Sequence, residues 1–91
     1  MHELTGFQRD ILFVVAGLGD PHGMAVQEAL EAYYDSAVQH GHLYPNLDTL
    51  ADAGLIDKST RDARSNAYSL TDAGVEEIEA RREWEADVSD R

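Results

Sequence analysis

Apolar residues recur at helical spacing over three stretches of the chain, then switch to a period of two, then return to helical spacing. In "LTGFQRDILFVVAGLG", Leu4, Phe7, Ile11, Val14 or Val15, and Leu18 fall on one face, the pattern of an amphipathic helix. Leu12, Phe13 and Ala16 make a second side apolar. A helix apolar most of the way round is buried on more than one side, so one side is expected to meet a partner subunit. Thr5, with Gln8 three residues on, has the spacing of a capping box. After the break "GDPHG", with Asp20 the expected cap and Pro21 the expected first helical residue, "GMAVQEALEAYYDSAV" repeats the pattern. Val26, Ala29, Leu30, Tyr33 and Ala37 form its expected core face, with Gln27, Glu28 and Glu31 outside. A third helix is expected to begin between His42 and Pro45, because proline is tolerated in a first turn. Leu43, Leu47 and Leu50 face its core, and Gly54 ends it in a left-handed cap.

"LIDKST" and "NAYSLT" read as two short strands, with Tyr68 and Leu70 on one face. The polar turn "RDARSN" joins them. Thr71 and Asp72 open a last helix, "DAGVEEIEARREWEADV", with Val75, Ile78 and the stem of Arg82 in one stripe and Trp84 and Val88 further along. The order helix, helix, helix, strand, strand, helix predicts a mainly α protein with a small β-hairpin, a winged helix-turn-helix. Its second and third helices are joined by a short Gly-containing turn, as that motif needs. With no repeat, linker or low-complexity segment, residues 1–91 are expected to form a single DNA-binding domain. Residues from about 72 to 88 would be its C-terminal dimerisation helix.

Composition sharpens this. A chain of 91 residues buries a limited core, which oligomerisation would supplement. It has no cysteine, which excludes disulfides, thiolate catalysis and zinc–thiolate sites. The opening "MHELTGFQRD" lacks the basic run and apolar stretch of a signal peptide. The longest apolar run, "ILFVVAGLG", is too short to span a bilayer. A soluble cytoplasmic protein without a membrane partner is expected. Asp and Glu number 18 against 7 Lys and Arg, the net charge is −11, and Lys58 is the only lysine. Acids spread along patterned segments, with lysine depleted, suit a salt-rich cytoplasm whose ions screen the self-repulsion.

No glycine-rich phosphate loop, nucleophile–base pair or distinct carboxylate pair is present, so neither an enzyme nor a catalytic residue is expected. Two constellations point to DNA. Away from the three leucines, the third helix carries His42, Tyr44, Pro45, Asn46 and Thr49, with His40 in its approach. A helix fits the major groove; Asn pairs with adenine, and Pro, Thr or Tyr can touch a thymine methyl. The helix N-terminus suits a phosphate without any lysine. Beside it, "KSTRDARSN" holds Lys58, Arg61 and Arg64, three of the seven basic residues, with Ser65 and Asn66 as uncharged donors. A wing of this kind suits phosphates or the minor groove. The plainer alternatives are a structural helix and a solvated turn with Arg61 paired to Asp62 or Asp57. His22, His40, His42 and Asp35 lack a third ligand at a telling spacing, so no metal is expected. The histidines fit phosphate donation better. In "EARREWE", Arg81 and Arg82 lie among Glu77, Glu79, Glu83 and Glu85 as a salt-laced face. Trp84 is the expected anchor of a dimer interface, shared with Leu4, Phe7, Ile11, Val75 and Ile78. No cofactor is expected beyond K+ or Na+ held at high salt.

Along "HLYPNLDTLADAGLI" and "NAYSLTDAG" the sequence resembles the PadR-like winged-helix transcription regulators. Leu43, Tyr44, Pro45, Leu47, Leu50, Gly54, Leu55, Ile56, Tyr68, Leu70, Thr71 and Gly74 fit the family pattern. The resemblance runs from about Phe7 to Gly74 and, with the acidity, is to a haloarchaeal, phage-repressor-like type. It implies a sequence-specific DNA-binding transcription regulator acting as a homodimer on a pseudo-palindromic operator, dimerised by the C-terminal helix, often with the first. Two departures matter. Only a short stretch follows Gly74, where many relatives carry a longer helical domain, which leaves a small-molecule effector open. The basic residues that relatives place on the third helix are missing. Because fold does not dictate function, the alternative is a winged-helix protein-interaction module that does not bind DNA directly.

Overall fold

In a computed structural model of the chain, which describes residues 3–60 and 66–90, helices α1 (Gly6–Leu18), α2 (Gly23–Tyr34) and α3 (His40–Asp52) lead into strands β1 (Ile56–Thr60) and β2 (Asn66–Leu70) and helix α4 (Asp72–Ser89). The expected order therefore holds, and it is that of a winged helix. The strands pair antiparallel, from Ile56 opposite Leu70 to Thr60 opposite Asn66. The core gathers one face of each helix against the hairpin: Ile11, Leu12 and Val15 from α1, Val26 and Leu30 from α2, Leu43, Leu47 and Leu50 from α3, and Ile56, Tyr68 and Ile78 behind them. Each such aliphatic side chain contributes roughly 1.5–3 kcal/mol by leaving water. Among the described residues no helix is long and apolar enough to cross a membrane.

The ends of the elements follow local chemistry. The capping box of α1 forms: Gln8 N–H donates to Thr5 Oγ1, and Thr5 N–H donates to Gln8 Oε1, each at 3.1 Å. Gly54 takes φ +78° after α3, and Leu55 N–H closes onto the Leu50 carbonyl at 3.0 Å, a glycine-terminated cap. Thr71 caps α4 by accepting from Gly74 N–H, while its own hydroxyl donates to the Gly54 carbonyl at 2.6 Å. The end of the third helix and the start of the fourth are thus pinned by one side chain.

Four expectations are corrected. Asp20 and Pro21 do not open α2: Asp20 is left-handed and His22 is the N-cap. Pro21 instead offers its carbonyl to Tyr68 N–H at 2.9 Å, and His22 bridges Ala67. The segment borders β2 as a short third edge, a place where proline's missing N–H costs nothing. Second, α2 stops at Tyr34, with Asp35 left-handed. Tyr33 is 78% exposed, and Ala37 is exposed too. Tyr34 turns inward, and its hydroxyl donates to Asp10. Burial, then the hydrogen bond and charge of Asp10, push that hydroxyl up to about 12. Gln27 and Glu31, expected to face water, instead clamp the following loop: Gln27 Nε2 donates to the Val38 carbonyl, and Val38 N–H donates to Glu31 Oε2. Third, α3 begins at His40, because the Gln39 carbonyl already accepts from His42 and Leu43 N–H groups. Pro45 lies inside the helix. The bond it forfeits is to Gly41, an exposed residue outside the core. Fourth, Ile11 and Ile78, expected at a dimer face, are 0% and 5% exposed in the protomer's own core.

Candidate nucleic-acid interface

With Leu43, Leu47 and Leu50 fully buried, a turn of about 100° per residue decides what α3 shows outward. The strip opposite the leucines is Gly41, Pro45, Asp48, Thr49 and Asp52, all exposed. Pro45 and Thr49 are therefore where the sequence placed them. His42, Tyr44 and Asn46 sit on the flanks and are engaged by their own chain. The His42 ring stacks on Phe7 with centroids 4.2 Å apart, and His40 stacks on Tyr44 at 4.1 Å. The Tyr44 ring packs over Gly23, where an added methyl would lie 2.8 Å from its carbons. Asn46 accepts from Gln8 Nε2 at 2.9 Å and donates to the His42 carbonyl at 2.8 Å. Thr49 Oγ1 donates to the Pro45 carbonyl.

Gly41 was not singled out in the sequence, although its spacing of four from Pro45 and eight from Thr49 marks it. Together the three give a flat, uncharged strip over which a groove wall can come close. Asp48 and Asp52 stand on the same strip, and Lys58 of β1 reaches Asp48 at 3.4 Å, both side chains being exposed. Such a pair adds at most about 1 kcal/mol to stability. Its consequence is electrostatic, since the one lysine offsets a carboxylate that would otherwise face a polyanion.

In the hairpin, Thr60 Oγ1 donates to Asn66 Oδ1 at 3.2 Å across the ladder. Arg61, Arg64 and Ser65, the rest of the expected wing, lie outside the described residues. The Tyr68 hydroxyl is buried and meets no hydrogen-bond partner among the described residues. Burial, and secondarily Tyr44 and Asp48, raise its pKa against a smaller opposing effect of Asn66. Tyr68 thus lies close to Tyr44 and Asp48 of α3. Among the described residues no three His, Asp or Glu side chains gather as a metal site.

The buried stripe of α4, Gly74, Glu77 and Ile78, continues at helical spacing as Arg81, Trp84, Glu85 and Val88. There it runs past the body. Trp84 is 47% and Val88 40% exposed. The Arg81 guanidinium lies 4.5 Å from the Trp84 ring centre, and its Nε donates to Glu85. Arg82 lies over Phe13. Of the other residues expected at a dimer face, Val75 is exposed beside the end of α1, lining a groove with Val15, Leu70 and Ile78. Leu4 and Phe7 pack half-buried against the core, with Phe7 also stacked on Tyr34.

Comparison with known proteins places this architecture. RosR from H. salinarum, in a complex structure, is 44% identical, with 93% of this chain and 75% of that chain covered and a TM-score of 0.90. Its structure grown from NaBr is 43% identical, with coverage of 94% and 77% and the same TM-score. A winged-helix DNA-binding protein from STIV shares the fold at 21% identity, with 91% of this chain and 90% of that one covered and a TM-score of 0.75. Among curated proteins no sequence matches. The model of the transcriptional regulator PadR-like family matches residues 11–80, a span that holds α3, the hairpin and the first half of α4, and the chain belongs to that family.

Proposed function

We propose that this PadR-like regulator is a single DNA-binding domain over residues 1–91 that acts as a homodimer, sequence-specifically, on a pseudo-palindromic operator in a salt-rich cytoplasm. The observation that carries this is the outward strip of α3. Gly41, Pro45 and Thr49 present neither charge nor bulk to a major groove, and of the two acids on the strip Asp48 is met by Lys58 while Asp52 stands at the far end of the helix. Affinity comes from Arg61 and Arg64 in the wing, from the α3 N-terminus, and from two copies binding together. The dimer seam is the overhanging end of α4, where Trp84 and Val88 extend a stripe whose earlier residues are already buried. The net charge of −11 and the likeness to RosR of H. salinarum support the salt-rich setting. K+ or Na+ between carboxylates and phosphates is the only cofactor in this scheme, and no residue has a catalytic role.

Replacing Arg61 and Arg64 together by alanine tests the DNA-binding half directly. Retention on the operator is expected to fall about tenfold or more, with circular dichroism and the melting temperature unchanged. Undiminished retention of that variant would favour the protein-interaction alternative.

A further inference from the structure

Gln8 belongs to α1, yet its side chain ends at α3. Its Oε1 accepts from Thr5 N–H in the capping box, and its Nε2 donates to Asn46 Oδ1 at 2.9 Å across 38 residues of sequence. Asn46 Nδ2 in turn donates to the His42 carbonyl at 2.8 Å. The polarity of this chain of bonds is fixed at both ends, by the Thr5 N–H and by the His42 carbonyl. A backbone N–H can only donate, so Gln8 must turn its oxygen to Thr5. That leaves its amide nitrogen for Asn46, which must answer with oxygen, and Asn46's own nitrogen is then directed to a backbone carbonyl that can only accept. The Asn46 amide is therefore held in one of its two orientations. Each of its polar atoms keeps further capacity, one lone pair and one N–H. An asparagine amide reads adenine through such a donor and acceptor side by side, and exchanging the two inverts what it can read.

We propose that Gln8 is a positioning residue for base recognition, setting the orientation of the Asn46 amide on the flank of α3. This rests on the DNA-binding reading above. It gives the capping box a second role, because one side chain both starts α1 and orients a reader on α3.

Gln8→Glu separates the two roles. Ionised glutamate still accepts from Thr5 N–H, as capping boxes commonly use it, and an acid near a helix N-terminus is favourable. It has no donor for Asn46 Oδ1, so two acceptors meet there; the amide must rotate away, or reverse at the expense of its bond to the His42 carbonyl. The preferred operator of the full-length protein is first selected from random duplexes. Each base pair of a half-site is then varied for the wild type, Gln8→Glu, Gln8→Ala and Asn46→Ala. Gln8→Glu is expected to keep the wild-type helix content and to melt within a few degrees of the wild type, yet to lose about tenfold or more of its discrimination at a single base-pair position, the position at which Asn46→Ala also loses it. Gln8→Ala leaves the bond to the His42 carbonyl in place and is expected to lose part of the same discrimination and to melt lower. A wild-type preference profile in Gln8→Glu, or a uniform loss over all sequences from the added charge alone, would overturn the proposal with DNA binding left standing. A wild-type protein that selects no sequence would overturn the DNA-binding reading and this proposal with it.

Discussion

Gly74→Ala is expected to be strongly destabilising, with a melting temperature well below that of the wild type. A methyl at this position would be driven into the Leu55 carbonyl oxygen and would lie 3.2 Å from a Leu70 methyl. The carbonyl has no freedom to yield, because it accepts from Thr71 N–H at 3.1 Å, and Thr71 in turn holds both the Gly54 carbonyl and Gly74 N–H. Helix α4 would have to lift, opening space under Ile78. Overpacking that cannot relax costs about 3 kcal/mol or more, a large part of the 5–15 kcal/mol typical of a domain. At roughly 4–8 °C per kcal/mol for a domain of this size, the melting temperature should fall by more than about 12 °C. Gly17 on α1, with nothing within 4 Å of an added methyl, is the internal control. Alanine there should raise stability by about 0.5–1 kcal/mol. A Gly74→Ala protein melting with the wild type would refute the close approach of α4 to Leu55.

Trp84→Glu combined with Val88→Glu is expected to yield a folded monomer that has lost its operator. In a two-fold interface each substitution is met twice, and a carboxylate moved into an apolar contact is strongly unfavourable. The protomer should tolerate both changes, because both side chains are exposed in it and glutamate favours helix. Sedimentation equilibrium should show the wild type as a dimer and the variant as a monomer of equal helix content. With only one half-site held at a time, operator affinity should drop about 100-fold or more. A variant that remains dimeric would move the seam away from α4.

Element order was legible because the inward leucines and the alternating strands leave few other ways to bury apolar surface. The end of α2 and the start of α3 were not. The loop after Tyr34 is held by Gln27 and Glu31 reaching the Val38 backbone, polar contacts that leave no trace in an apolar pattern. The rule that keeps proline in a first turn gave way at Pro45, where the bond given up involves an exposed glycine. On α3, Pro45 and Thr49 were correctly turned outward. The flank positions of His42, Tyr44 and Asn46 followed from their angle to Leu43, Leu47 and Leu50, and that same angle would have picked out Gly41. The Gln8–Asn46 bond joins residues too far apart in sequence for any spacing to reveal. In α1, an apolar surface on several sides could not say which side meets the chain itself, and Ile11 turned out to meet it.

An acidic protein with one lysine is expected to recognise DNA without relying on many ion pairs to phosphate. Operator affinity measured from dilute to molar KCl tests it most directly. A binder that displaces a counterion from each phosphate loses affinity with a log–log slope of about −0.9 per contact. Here the slope is expected to be near zero or positive, with binding maintained in molar salt. A steep, continuous loss of affinity as KCl rises would mean that ion pairs to phosphate carry the binding after all.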